Sequence, residues 1–108
     1  MRLIDLHPQF LRVEYWGDRR VLRKVDTLQE ATGIRFLCPC CFKKNGGPEG
    51  THMVICCSHD VAEDIAGPGR WTMTGRGPLD LTLSPSIHLQ GGCGWHGWVR
   101  DGETYDAA

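Results

Sequence analysis

The sequence has no long apolar segment and no excess of basic residues. No run of about eighteen apolar residues occurs, so we expect no membrane-spanning helix. The first eight residues lack the apolar stretch of a secretion signal, because Asp5 and Pro8 interrupt them. The net charge is −1, which gives no electrostatic support for binding nucleic acid or an anionic membrane. These absences predict a protein of the cytoplasm.

Glycine and cysteine are abundant for so short a chain. Fourteen glycines among 108 residues indicate many turns and argue against long helices. A chain of this length should form one domain, residues 1–108, whose small core gains from a cross-link or a metal. In a reducing cytoplasm, the six cysteines are better metal ligands or free thiols than a disulfide framework.

Short segments with alternating polar and apolar residues predict a mainly β fold. Strands are expected at residues 10–16, 34–37, 51–57, 71–74 and 79–83, with a hairpin at 98–105 that turns at Asp101-Gly102. Thr27 and Glu30 form a capping box, which predicts one short helix ending at Gly33. Residues 59–70 are expected to form a surface loop, with a helical turn at 61–65. The result is a small α+β domain with knuckles like those of a zinc ribbon, joined by short antiparallel strands.

Two pairs of residues, each a possible half of one metal site, are the strongest chemical feature of the sequence. Cys38 and Cys41 are separated by two residues, and so are Cys93 and His96. Each pair presents two soft ligands from a turn rich in glycine or proline, which suits a tetrahedral Zn²⁺ ion. We therefore predict a zinc site held by Cys38, Cys41, Cys93 and His96.

Three further residues compete for roles at this site. Only Pro39 separates Cys40 from Cys38, which is closer than the usual two-residue gap between metal-binding cysteines. We therefore expect Cys40 to be a free thiol that does not bind the metal. His52 is the alternative ligand, because in the predicted strand at 51–57 it lies nearer the first half-site than Cys56 does. If His52 and His96 both bound the metal and left a position open, Glu49 could activate a metal-bound water. Otherwise Glu49 is a solvated carboxylate of a glycine-rich loop.

The segment around Ser84 and Ser86 is the other polar feature of note. It follows a predicted strand and precedes His88, but it lacks the pattern of a nucleophile elbow. We interpret these serines as the polar end of a strand, where their hydroxyl groups satisfy nearby backbone groups.

Five segments, in the same order along the chain, resemble those of a family of short phage and prophage proteins of unknown function. Proteins of that family often carry the label "ammonia monooxygenase". The five segments are residues 6–11, 36–42, 44–52, 81–86 and 91–97, including Phe-Leu-Cys-Pro-x-Cys-Phe and Gly-Gly-Cys-Gly-Trp-His-Gly. The resemblance implies a phage or prophage origin, the host-cell cytoplasm and a cysteine–histidine metal site. Similar domains occur in bacterial ubiquitin-like conjugation operons, where the resemblance implies a peptidase-like role. The monooxygenase label has no support in a chain without a membrane span.

Two functions follow from these observations, and whether the chain is an enzyme stays open. The leading hypothesis is a phage accessory protein that binds another protein, with a zinc ion that is mainly structural. The alternative is a zinc-dependent hydrolase or peptidase that acts on a protein or a ubiquitin-like conjugate, with Glu49 as its base. Nucleic-acid binding ranks third because of the net charge.

Overall fold

The computed structural model describes residues 1–61 and 69–107, which form mainly β-strands. The first half contains a 3₁₀ turn (Leu3–Leu6), β1 (Gln9–Trp16), β2 (Arg19–Val25), β3 (Gly33–Leu37), helix α1 (Pro39–Asn45) and β4 (Met53–Cys57). The second half contains β5 (Thr72–Thr74), β6 (Thr82–His88), β7 (His96–Arg100) and β8 (Glu103–Asp106). The predicted fold class, mainly β with antiparallel strands and a short helix, is confirmed.

The strands form two four-stranded antiparallel sheets, in the orders β2-β1-β3-β4 and β5-β6-β7-β8. All pairings are antiparallel and join strands that are consecutive or next but one in sequence, although α1 and the loop after it separate β3 from β4. The N-terminus contacts the second sheet, because Leu3 N–H donates to the Gly102 carbonyl (2.8 Å) and Thr104 N–H to the Met1 carbonyl (2.7 Å). The first residues of the chain therefore connect the two sheets.

One apolar core lies between the sheets. The first sheet contributes Phe10, Ile34, Phe36, Val54 and Cys56, and the second contributes Leu83, Ile87 and Val99. The buried side chains alternate along β7 with exposed ones, as expected for a sheet with one face on the core. The second sheet therefore presents an outer face whose side chains are free to act on other molecules.

The helix is not at the predicted position. One bond of the predicted capping box forms, from the Glu30 N–H to the Thr27 hydroxyl (3.3 Å), but the Glu30 carboxylate accepts from the Thr27 hydroxyl (2.8 Å) and the chain makes only a turn there. Gly33 leaves too few residues for a helix, because it already begins β3. Instead α1 begins at Pro39, which has the fixed φ of a first helical residue and needs no hydrogen-bond partner for its nitrogen.

Two other local predictions have different outcomes. The sequence predicts a strand at residues 79–83, but β6 spans Thr82–His88, so the Ser84–Ser86 segment lies inside a strand. The hairpin turn at Asp101-Gly102 is confirmed, with φ of 46° and 75°, the left-handed values of a two-residue turn. Of the helical turn predicted at residues 61–65, all but the first residue lies outside the described residues.

None of the helices in the described ranges has the length and apolarity to cross a membrane.

Replacement of Gly97 by alanine should destabilise the second sheet. A Cβ atom there would collide with the Tyr105 carbonyl oxygen and the Trp95 ring, so β7 and β8 would have to separate. We expect Gly97→Ala to lower the free energy of unfolding by about 2 kcal/mol or more, measured by urea denaturation. Gly77→Ala is the control, since a Cβ atom at Gly77 meets no heavy atom within 4 Å. Equal stability of the two variants would contradict this packing.

Candidate metal centre and serine–histidine pair

Four side chains from distant parts of the chain converge on one point. Ligand atoms of Cys38, Cys41, His52 and Cys93 all lie within 4.8 Å of one another. Cys38 Sγ is 3.5 Å from Cys93 Sγ, and His52 Nε2 is 3.4 Å from Cys93 Sγ. A tetrahedral ion with bonds of about 2.0–2.3 Å needs ligand atoms about 3.3–3.8 Å apart. The cluster therefore fits the spacing of a four-coordinate metal ion and could hold one.

Both sheets contribute to this cluster. Cys38 directly follows β3, and Cys41 lies in the first turn of α1. His52 precedes β4 and is held beside Cys38 by a 2.9 Å hydrogen bond from the Cys38 N–H to the His52 carbonyl. Cys93 comes from the glycine-rich turn before β7, in which Gly94 has a φ of 66°. A metal ion bound here would join the second sheet to the first.

The ring orientation of His52 also suits a ligand. Nδ1 lies 3.3 Å from the Met53 carbonyl oxygen, so the tautomer with a proton on Nδ1 can donate there. That tautomer leaves Nε2, the atom beside Cys93, unprotonated and able to bind a metal. A backbone carbonyl that fixes the far ring nitrogen is the usual support for a metal-binding histidine.

Burial dominates the pKa values of the thiols. It raises the pKa of Cys38 to about 12 and also raises the pKa of Cys41. Burial acts in the same direction on Cys93, but hydrogen bonds with His52, the Trp95 N–H and the two other thiols together lower its pKa to about 6. Without a metal, Cys93 is therefore the thiolate of the cluster, while Cys38 and Cys41 keep their protons.

The structure places the other predicted site residues elsewhere. His96 does not join the cluster, because it lies in β7 and its ring stacks on His88 of β6. Cys40 is adjacent to the cluster but contributes no ligand atom to it. Glu49 is exposed in the loop after α1 and is also outside the group of ligand atoms. The cysteine members of the two half-sites thus come together, whereas His52 takes the position predicted for His96.

His96 instead contacts a serine. Ser86 Oγ lies 3.3 Å from His96 Nε2, on the outer face of the second sheet. When Nε2 is unprotonated, the hydroxyl donates to it, which is the arrangement that activates a serine nucleophile. The Trp71 indole N–H donates to the Ser86 carbonyl (3.3 Å), which helps to hold the Ser86 backbone.

Aromatic rings, rather than a carboxylate, surround His96. The centroids of the His88 and His96 rings are 4.6 Å apart and their planes differ by 23°. The Trp98 ring lies 6.0 Å from His96 on the same strand. In the described part of the chain, no carboxylate accepts a hydrogen bond from the other ring nitrogen of His96. Stacking therefore limits how the imidazole can turn away from Ser86.

A family model described as "Bacterial ubiquitination-like system serine protease (BubE)" matches residues 12–106. The chain belongs to the BubE family. The matched region includes all four metal-site candidates and both members of the serine–histidine pair. No curated protein matches the chain, and no solved structure does.

Membership in the BubE family bears on the earlier resemblance. It supports the link to bacterial ubiquitin-like conjugation systems. It gives no support to the phage and prophage family or to the monooxygenase label.

The serine–histidine pair was missed from the sequence for a physical reason. Ser86 was interpreted as part of a polar strand end because no nucleophile elbow surrounds it. The available signal was the alternation of Ser84, Ser86 and His88 with buried positions such as Ile87, which places all three on one outer face. Recognising His96 as the partner required the pairing of β6 with β7, in which His88 is opposite His96.

Substitution of the cluster residues should remove the bound metal. We expect His52→Ala and Cys93→Ser to abolish stoichiometric metal binding and to lower the free energy of unfolding by about 3 kcal/mol or more, because the site joins the two sheets. Metal content by mass spectrometry and denaturation curves would measure both effects. Cys40→Ser and His96→Ala are the controls and should retain the metal. Loss of metal from His96→Ala but not from His52→Ala would refute this ligand set.

Metal affinity should rise with pH. Because burial raises the pKa of Cys38 and Cys41, both thiols are protonated at neutral pH, and a metal ion must displace these protons. Lower pH therefore favours the metal-free protein. Release of about two protons predicts that zinc affinity increases about 100-fold between pH 7 and pH 8. Competition with a chelator of known protonation would measure it, and a pH-independent affinity would contradict the proton count.

Proposed function

We propose that the chain is a serine hydrolase of a bacterial ubiquitination-like system. Its substrate is a peptide or isopeptide bond that follows the C-terminus of a ubiquitin-like protein. Ser86 is the nucleophile and His96 is the general base. The observation that carries this proposal is the 3.3 Å contact between Ser86 Oγ and His96 Nε2, in a family described as serine proteases.

The reaction follows from this contact. As Ser86 Oγ attacks the substrate carbonyl carbon, its proton passes to His96 Nε2. The protonated imidazole then donates that proton to the departing amine, and the acyl group remains as an ester of Ser86. Water attacks the ester, gives a proton to His96 and releases the carboxylic acid, while Ser86 Oγ recovers its proton. Each step uses one proton carrier, His96.

The metal in this proposal is a structural Zn²⁺ ion held by Cys38, Cys41, His52 and Cys93. Three sulfurs and an imidazole suit zinc better than cations that prefer oxygen. Four protein ligands close a tetrahedral site and leave no position for a reacting water. The alternative, a zinc-dependent hydrolase with Glu49 as base, needs an open position and a nearby carboxylate. Glu49 is exposed outside the cluster, so the serine mechanism is better supported.

Protein binding, the leading function predicted from the sequence, enters this proposal as the first step of the reaction. A ubiquitin-like conjugate is itself a protein, so the partner class is the same. We propose that the protein acts in the reducing cytoplasm, where thiol ligands stay reduced. A phage or prophage origin remains a prediction from the sequence.

Substitution of Ser86 should remove activity and leave the fold intact. Ser86 is half-buried and contributes no side chain to the core, so Ser86→Ala should melt within about 2 °C of the wild type. It should lose covalent labelling by a fluorophosphonate probe and slow cleavage of a ubiquitin-like fusion by about 1,000-fold or more. His96→Ala should slow cleavage by about 100- to 10,000-fold. Intact-mass spectrometry and gel-based cleavage would follow both readouts.

Ser84→Ala is the matched control, because Ser84 lies two residues away in the same strand and is exposed. It should retain labelling and cleavage. The serine mechanism is wrong if Ser86→Ala cleaves at the wild-type rate. If Glu49→Gln, rather than Ser86→Ala, abolishes cleavage, the metal-hydrolase alternative holds.

A further inference from the structure

Two grooves on the surface of the second sheet meet at Ser86. The first groove has a volume of about 470 Å³ and extends from Ser86 along Trp98 to Arg100. The second has a volume of about 560 Å³ and extends from Ser86 past His88 to Trp71. Pro85 and Ser86 line both grooves. A bound chain that filled both would therefore pass directly over the Ser86 hydroxyl.

From this arrangement we propose that the site binds an extended polypeptide segment on both sides of the bond that is cleaved. We propose further that Arg100 selects an acidic side chain in the first groove. This inference rests on the proposed function, because it takes Ser86 as the nucleophile. It adds a substrate class that the family description does not contain: a segment with residues before and after the bond and a carboxylate on one side.

Arg100 is placed to recognise a carboxylate. Its guanidinium carbon lies 5.0 Å from the centroid of the Trp98 ring, so the side chain lies over the floor of the groove. None of the ion pairs found among the described residues includes Arg100. Asp101 lines the same groove beyond Arg100, and its N–H donates to the Thr82 hydroxyl (3.0 Å). The cation–π contact with Trp98 does not use the guanidinium N–H donors, so they are available to a carboxylate in the groove.

The spacing fixes where the acidic residue should lie. Val99 is paired with Leu83, so Arg100 is level with Thr82, which is four positions from Ser86 in β6. Four strand residues span about 13 Å, and the guanidinium leans back over Trp98 towards Ser86. A substrate in extended conformation advances about 3.3 Å per residue. The carboxylate should therefore lie about two to four residues from the cleaved bond.

The second groove differs in chemistry from the first. Its surface is mostly apolar and includes the Trp71 ring, whose indole N–H donates to the Ser86 carbonyl. Arg70 also lines this groove, but its guanidinium donates to the backbone carbonyls of Val61 (2.8 Å) and Gly69 (2.6 Å), unlike that of Arg100. An apolar residue on the other side of the cleaved bond suits this surface. The two grooves thus distinguish the two directions of a bound chain, which would set its orientation across Ser86.

Cleavage of synthetic peptides tests the proposal. Internally quenched peptides would carry glutamate or lysine in turn at each of four positions on either side of the bond. On one side, at two to four residues from the bond, we expect glutamate to give a kcat/KM about tenfold higher than lysine. In Arg100→Glu this ratio should fall below one. Arg76→Glu is the control, because Arg76 is 96% exposed, lines neither groove and carries the same charge change.

Binding provides a readout that does not depend on turnover. In Ser86→Ala, fluorescence anisotropy should show that the glutamate peptide binds about tenfold more tightly than the lysine peptide. Peptides that end at the position of the cleaved bond should bind about tenfold more weakly than peptides that extend on both sides.

The outcomes separate the two proposals. Equal binding of glutamate and lysine peptides, or an unchanged preference in Arg100→Glu, would overturn the role of Arg100. Equal binding of one-sided and two-sided peptides would overturn the two-sided site. If a fluorophosphonate does not label Ser86 in the wild type while the preference for glutamate peptides in binding persists, the proposed function is wrong. The proposal that the groove binds an acidic peptide would then still hold.

Discussion

The close approach of Cys38 and Cys93 is the contact on which the rest of this structure depends. It joins the end of β3 to the turn before β7, so it connects the two sheets at a point where Cys38 belongs to the apolar core and Cys93 packs against that core. His96 is only three residues beyond Cys93. The proposed zinc therefore anchors the strand that carries the proposed general base, although the ion takes no part in the reaction. Small domains often depend on such a cross-link, because their cores bury little surface.

The outer face of the second sheet shows how little structure a reactive pair needs. Strand alternation places Ser86 and His96 on the same face, and the pairing of β6 with β7 brings them within reach of each other. The stacked His88 ring and the tilted Trp98 ring restrict the imidazole, a task that a buried carboxylate performs in familiar triads. The charge that forms on His96 during the reaction is then shared with aromatic rings and solvent rather than with a fixed anion.

Sequence reasoning succeeded where the information was local. Cys38 and Cys41 are separated by two residues, and Asp101-Gly102 is a two-residue turn, so each feature lies within one short segment. In the structure the two thiols lie in the same cluster, and the turn has the expected left-handed φ values. The position of His52 depends on the pairing of β3 with β4, which puts Met53 opposite Leu37. The Ser86–His96 contact depends on a pairing with an irregular register between Leu83 and Ile87. No local pattern encodes either pairing. His52 is therefore predicted from the sequence only as the alternative ligand, and the Ser86–His96 contact is not predicted at all.

The reactive side chains on the outer face contribute nothing to the core that holds the domain together. His96 is exposed, and the apolar residues of the same strands point the other way. In the proposed enzyme, one substitution at Ser86 would remove catalysis and leave a folded domain with both grooves in place. In this architecture, the loss of catalysis and the loss of recognition are separate evolutionary events.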